Sequence, residues 1–447
     1  MKRLNRRQFV KQSVGISLGA VTLSTAARPV LGANDRVNLA LIGCGGRGRA
    51  LVRGFIDCGA RITHLCDLNE QRLETLAKEL ASVQNHTPKK LSRMEQVFDT
   101  REVDAVVVAT PDHWHAPASI LACQAGKDVY VEKPPSHNIW ETQKMLEAAR
   151  KYRRVVQVGT QNRSAPYNRA ALEYIRSGKL GGIHIVKVYN LKSGGAFHLG
   201  DAGTTSAGFD WDAWLGPAPA RPYHQHLFHG GWHKFWDFSG GDLADDGIHQ
   251  LDLATMLMGD PGLPQAVSCS GGRLAHPDDE GEVPDVQIAS FDFADFVMTF
   301  ELSGYPRYMQ KTTGTIRRND EFPYWTQNAT RIELYGSDLM MTVGRHGGGW
   351  IVTTSGGKIV EKNYGRPPDQ HHETNFLECI KTRERPNADI ETLFASTAMV
   401  HMANIAHRVG NEKLGFDAAT KRFTDSADAN ELLKRTYRPK YRIPDRV

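Results

Sequence analysis

Residues 37–48 read Val37-Asn38-Leu39-Ala40-Leu41-Ile42-Gly43-Cys44-Gly45-Gly46-Arg47-Gly48. An apolar run of strand length ends in a glycine-rich turn, and a helical pattern follows with Ala50, Leu51, Phe55 and Ile56. The next apolar run, 62–66, ends in Asp67, 19 residues beyond Gly48. Each glycine has a physical task. Gly43 permits the tight turn, Gly45 with Gly46 leaves the backbone approachable, and Gly48 permits close packing of helix on strand. The helix that begins at Gly46 and Arg47 presents free N–H groups and a partial positive charge at its start. An acid at the end of the second strand accepts hydrogen bonds from a ribose diol and repels a 2′-phosphate. Strand, glycine turn, helix, strand and acid in this order point to a bound dinucleotide, NAD rather than NADP.

The pattern continues outward. Runs at 105–109, 129–131 and 155–158 are nearly all apolar, as strands buried on both faces should be. Helical stretches near 70–83, 115–125 and 141–152 alternate with them. This alternation predicts an α/β fold, a doubly wound parallel sheet over residues 36–163. Ligands of such sheets sit at the carboxyl ends of the strands. Those ends carry Thr110-Pro111-Asp112-His113-Trp114-His115, Glu132-Lys133-Pro134-Pro135 and Gly159-Thr160-Gln161-Asn162-Arg163. Thr110, Pro111, His113, His115, Glu132, Lys133, Gln161 and Arg163 are therefore expected to line the cofactor site.

Residues 164–447 change character. A helix is expected over 168–176, a strand over 183–191, and alternating runs at 265–272, 287–293, 297–302, 331–335, 339–343 and 350–354 predict a mostly antiparallel sheet. A helix is expected from 390 to about 409, and the basic terminal segment 434–447 reads as an extended arm onto a neighbouring subunit. Between strand and sheet, residues 192–242 form a long stretch rich in Gly, His, Trp and Pro. Loops of this length are commonly functional, and its aromatic load argues against disorder. Substrate lining, with Trp236 as the named candidate, competes there with simple packing over the sheet.

With these residues in view, the chain resembles the exported, glucose–fructose oxidoreductase-like members of the Gfo/Idh/MocA oxidoreductase family. The resemblance rests on the glycine turn, on 110–115, on Glu132-Lys133-Pro134, on 159–163, and on Gly240-Gly241-Asp242-Leu243-Ala244-Asp245-Asp246-Gly247-Ile248-His249. It implies a Rossmann domain, then an α/β domain with an open, mostly antiparallel sheet through which dimers or tetramers pack. It also implies NAD(P)-dependent chemistry at a hydroxyl of a sugar or polyol, with Lys133, Asp245 and His249 as the catalytic and substrate-binding group.

Those residue types suit the chemistry. Removing hydride from an alcohol carbon requires loss of the hydroxyl proton, and a histidine titrates near the working pH. Lys133 can stabilise alkoxide charge. Asp245 and His249, four apart on an expected helix, should share a face. The same group would serve a glycosidase that works through transient oxidation, elimination, water addition and re-reduction. That route needs a further base, for which His233 is a candidate.

Composition narrows the remaining classes. The 447 residues carry 55 Lys and Arg against 50 Asp and Glu. Six of the bases (Lys2, Arg3, Arg6, Arg7, Lys11, Arg28) lie in the first 32 residues, which hold no acid. The basic balance thus belongs to the leader, and nucleic-acid binding by the body loses its compositional support. Adjacent Arg6 and Arg7, then Phe9, a short apolar run and small residues before Ala33 read as a twin-arginine export signal, cut after Gly32. A periplasmic location follows, with no membrane association beyond the signal. The six cysteines show no CxxC, which predicts small buried thiols. His224, His226, His229 and His233 match no standard zinc spacing, so no metal is expected.

Overall fold

The computed structural model describes residues 36–447. The export signal expected over 1–32 lies outside the described residues. Two sheets organise what is described. The first has six parallel strands: β1 (Asn38–Ile42), β2 (Arg61–Cys66), β3 (Lys89–Leu91), β4 (Ala105–Val108), β5 (Asp128–Val131) and β6 (Val156–Val158). Their order is β3-β2-β1-β4-β5-β6, the Rossmann arrangement. Every residue of β4 and β5 is buried, because helices cover both faces. Ile42 pairs with Cys66 on one side and with Val108 on the other, and Val108 pairs with Val131. This register brings Gly43, Asp67, Ala109 and Glu132 to one level at the carboxyl edge.

The second sheet has ten strands: β7 (Ile183–Asn190), β8 (Ala266–Gly272), β9 (Val286–Asp292), β10 (Val297–Ser303), β11 (Arg331–Gly336), β12 (Met340–Gly344), β13 (Trp350–Thr353), β14 (Ile359–Asn363), β15 (Leu414–Asp417) and β16 (Arg422–Phe423). The order is β14-β13-β12-β11-β7-β10-β9-β8-β15-β16, antiparallel except where β7 meets β10. Strands β3, β14, β15 and β16 were not expected from sequence. They are short edge or near-edge strands: β14 is largely exposed, and β3, β15 and β16 are only two to four residues long, too short for a pattern to stand out. The Ile248–Leu257 helix is buried on every side and packs, with the Phe394–Arg408 helix, on one face of the sheet. The latter helix begins at Phe394 rather than at 390, and the 168–176 helix begins earlier, with Pro166 in its first turn.

The first sheet is completed from the far end of the chain. Phe376 and Leu377 of the Asp369–Thr382 helix enter the core on one face. Ala388, Ile390, Leu393, Ile443 and Val447 enter the core on the other. The terminal segment therefore folds back on its own chain rather than extending away from it. Arg435 donates to the His113 carbonyl at 2.7 Å and Arg438 to the Gly216 carbonyl at 2.7 Å. Five cysteines are buried and Cys58 is half-buried, all as free thiols. Among the described residues no helix is long and apolar enough to cross a membrane.

Candidate active site

A cleft of about 700 Å³ runs along the carboxyl edge of the first sheet. Gly43, with φ +98°, closes the turn where a Cβ would lie 2.5 Å from the Ala109 carbonyl oxygen. A Cβ at Gly48 would lie 2.0 Å from the Gly43 carbonyl oxygen. These two glycines are required by the protein's own packing. Gly45 and Gly46 are different. A Cβ at Gly46 would meet nothing within 4 Å, so the protein leaves that space open over the helix start. The Gly46–Asp57 helix has no side-chain cap and no acid in its first turn, so its leading N–H groups remain available to an anion. The residues present fit a dinucleotide.

Asp67 lies in the same cleft. Its carboxylate accepts from the Cys44 N–H at 2.7 Å and the Asn69 N–H at 2.8 Å, which hold it in place for a ribose. Glu132 accepts from Arg47 Nε at 2.8 Å and so ties the helix start to the β5 end. Thr110, Pro111 and His115 also line the cleft. The His115 ring is buried, its nitrogens 2.6 Å from the Pro134 carbonyl and 2.8 Å from the Thr110 carbonyl. Burial, against those two carbonyls, lowers its pKa.

At one end of the cleft Lys133 is ion-paired with Asp245, so two segments 112 residues apart meet. Burial opposes the Lys133 charge, but Asp245 and then Glu132 outweigh it and hold the ammonium above its usual range. Burial likewise opposes the Asp245 charge, and Lys133, His233 and Lys192 hold that carboxyl well below its usual range. His233 faces the cleft as well, and burial above all lowers its pKa to about 4. It is a neutral base beside an ion pair. Asp112, buried, accepts from Ser239 Oγ at 2.6 Å, and desolvation pushes its pKa up to about 8.

That last shift has a measurable sign. Between about pH 4 and 8 the folded chain holds a proton on Asp112 that the unfolded chain has lost, so this group makes stability fall as pH rises. Asp112→Asn should remove that part of the pH dependence, read as a smaller decline in urea midpoint from pH 5 to 8 than in the parent. An unchanged slope would refute it.

Several expected site residues lie elsewhere. His113 is fully buried, with Nε2 3.0 Å from the Trp214 carbonyl and its ring against Trp214 and Phe238, and it does not line the cleft. Gln161 donates to the Tyr130 hydroxyl at 3.2 Å. Arg163 is buried and paired in two-point fashion with Asp252, at 2.8 to 2.9 Å, and with Asp260 at 2.8 Å. It fastens the first sheet to the Ile248–Leu257 helix. Trp236 is turned away from the cleft beneath Arg408, and Trp232 lines the cleft instead.

His249 is buried and is also not among the residues lining the cleft. Burial, then Arg345 and Lys133, hold its ring neutral, so Lys133 and His249 are electrostatic neighbours. Asp245 lines the cleft, whereas His249 does not. Residues Leu243–Gly247 form a π-turn that runs into the α-helix starting at Ile248. Asp245 pairs with Lys133, Asp246 with Lys192, and His249 Nδ1 has no hydrogen-bond partner.

The 192–242 stretch is packing and cover at once. Trp214, Leu215, Leu227, Phe228, Phe235 and Phe238 form a separate apolar cluster, with Leu68 of the first sheet packed against it. Arg72 stacks over Phe228 at 4.6 Å, and Trp214, Phe228 and Trp232, with Lys440 and Tyr441 of the terminal segment, line the cleft. Of the four histidines considered for metal, His224 and His226 bond to backbone carbonyls at 3.0 and 2.8 Å.

A parallel sheet in Rossmann order, a bare glycine turn and a half-buried Lys–Asp pair at its edge define a dinucleotide-binding fold with a charged pair in its cleft. The comparisons agree. Residues 37–160 match the model of the oxidoreductase family with an NAD-binding Rossmann fold, and 194–316 with 357–443 match its C-terminal alpha/beta domain. The chain belongs to the Gfo/Idh/MocA family. It is similar to an uncharacterized oxidoreductase of Streptococcus pneumoniae, 27% identical over 58% of this chain and 60% of that one. It is also similar to a glycosyl hydrolase family 109 protein of Saccharopolyspora erythraea, 30% identical over 34% of this chain and 38% of that one. The chain thus spans about 60% or less of these relatives' length. Among solved structures, the WlbA dehydrogenase from Bordetella pertussis, in complex with NADH and UDP-GlcNAcA, superposes with a TM-score of 0.62. It is 19% identical, over 86% of this chain and 99% of that one, and so shares the fold.

Proposed function

We propose that this oxidoreductase transfers hydride between a retained NAD and a hydroxyl-bearing carbon of a sugar, polyol or glycoside. The observation that carries the reading is the Lys133–Asp245 pair, half-buried in the same cleft as the glycine turn and Asp67. When bound, NAD would supply the hydride acceptor, held by the glycine turn and Asp67. Lys133, kept charged by Asp245, donates to the reacting oxygen and stabilises alkoxide. The proton leaves to a neutral imidazole, for which the sequence named His249 and the cleft also offers His233. Asp245 fixes the ammonium and binds a neighbouring hydroxyl. The cover formed by Phe228, Trp232 and Tyr441 supports retention of the cofactor through many turnovers.

Export by the twin-arginine route, which carries folded and loaded proteins, belongs to the same reading, as does likeness to glucose–fructose oxidoreductase. So does pairing of subunits through the uncovered face of the second sheet, where Ile185, Ile288 and Val297 stand exposed. The test is direct. The protein as purified should release NAD on denaturation, and a sugar panel added to the native protein should change absorbance at 340 nm. Absence of nucleotide, with no binding of added NAD, would end the proposal.

A second reading has one observation in its favour. His233 is a neutral base beside the Lys133–Asp245 pair, as elimination from a transiently oxidised glycoside requires. A glycosidic bond broken with no net NADH would select it.

A further inference from the structure

Asp246, next to Asp245 but pointing elsewhere, sits in a crowd of cations. Lys192 Nζ lies 3.0 Å from Asp246 and 3.6 Å from Asp242, and Lys311 Nζ lies 3.0 Å from Asp246. Arg345 reaches Asp246 only at 3.5 Å, and Lys234 lies 3.4 Å from Asp242. Apart from the Lys133–Asp245 pair, which Glu132 also faces, the four cations Lys192, Lys234, Lys311 and Arg345 face Asp242, Asp246 and, more distantly, Asp369, so positive charge is in surplus. Arg317 also stands within electrostatic reach of Asp246.

Arg345 is the least exposed member of the group. Its side chain is 13% exposed, its Nε has no hydrogen-bond partner, and another of its nitrogens abuts His346. Burial, with Arg345 beside it, keeps that histidine neutral, so it removes no charge. His249 Nδ1 close by is likewise unpartnered. An unpaired buried donor in a native fold calls for a partner, an ordered water, an ion or a ligand group. Lys192 and Lys311 remain partly exposed, so the group is reachable.

The surplus does not serve the dinucleotide. Lys192, Lys311 and Arg345 come from the loop after β7, the stretch after β10 and the turn between β12 and β13, and none of them lines the cleft. It does adjoin the reacting pair. Lys192 acts on Asp245, and both Arg345 and Lys133 act on His249.

We propose that Lys192, Lys311 and Arg345 form a subsite for an anionic oxyacid group, carboxylate or phosphate, carried by the sugar whose hydroxyl meets Lys133. This rests on the proposed sugar chemistry for its setting, but not for its test. A guanidinium with free N–H groups and two ammonium groups suits oxyanion geometry.

The test is calorimetric binding to the protein as purified, with saturating NADH, using matched hexose, hexuronate and hexose 6-phosphate in gluco, galacto and manno series. At least one acidic sugar should bind tenfold or more tighter than its neutral partner. Lys311→Met, at a part-exposed position, should remove most of that difference and leave neutral-sugar binding unchanged. The hexuronate and phosphate arms decide which oxyacid is meant. No preference for any acidic sugar, or a preference that Lys311→Met leaves intact, overturns the subsite. If the preference holds while no sugar changes the 340 nm absorbance, the subsite stands and the hydride-transfer reading fails.

Discussion

Lys133→Met should lower kcat by about 10²- to 10³-fold while the bound NAD content stays near that of the parent. The ammonium is the charge that stabilises alkoxide, and Asp245 and Glu132 keep it protonated. The glycine turn and Asp67 hold the nucleotide independently of it. Removing Lys133 also strips Asp245 of its strongest counter-charge and leaves a buried carboxyl with only His233 and Lys192 to favour ionisation. Its pKa should climb, so residual activity should depend on pH where the parent does not. Nucleotide stoichiometry after denaturation and kcat across pH 5–9 check both statements. A variant with kcat within tenfold of the parent would remove Lys133 from the chemistry.

Asp252→Ala should cost about 3–5 kcal/mol of stability, the range for breaking a buried ion pair by deleting one partner. Asp252 is fully buried and accepts two-point bonds from Arg163 as well as a bond from Ser396 Oγ at 2.9 Å. Asp260 remains as a partner for Arg163, but it is half-exposed and compensates only part of the guanidinium. The pair joins the end of the first sheet to the helix that carries His249. The variant should therefore lose activity under conditions where it is still folded. Urea unfolding monitored by tryptophan fluorescence, beside kcat and KM measured well below the transition, separates the two effects. A cost below 1 kcal/mol would show that the joint is held by apolar packing instead.

Much of the first domain was legible because its signals are local. A strand buried on both faces must be apolar throughout, a tight turn under a close helix must be glycine, and each requirement falls within a few consecutive residues. Asp67, Lys133 and the Asp245 motif could be placed by their position after such strands and turns. The aromatic stretch was legible in kind but not in aim. Trp232 and Trp236 are four residues apart in the same segment, and only packing against Glu282, His137 and Arg408 turns Trp236 away from the cleft. Arg163 read as a cofactor residue because it follows a strand end, whereas its partner Asp252 lies 89 residues further along.

The sequence by itself determined the parallel sheet, the dinucleotide edge and the Lys–Asp–His candidates, since backbone conformation and burial periodicity are written residue by residue. Spacing from His249 singled out Asp245, and the fold added that its neighbour Asp246 turns to Lys192 and Lys311 instead. Only the tertiary structure gathered Lys192, Lys311 and Arg345, whose separation along the chain leaves no local pattern. Charge clusters and side-chain direction arise from contacts between distant segments, and a linear sequence carries no record of which ones will touch.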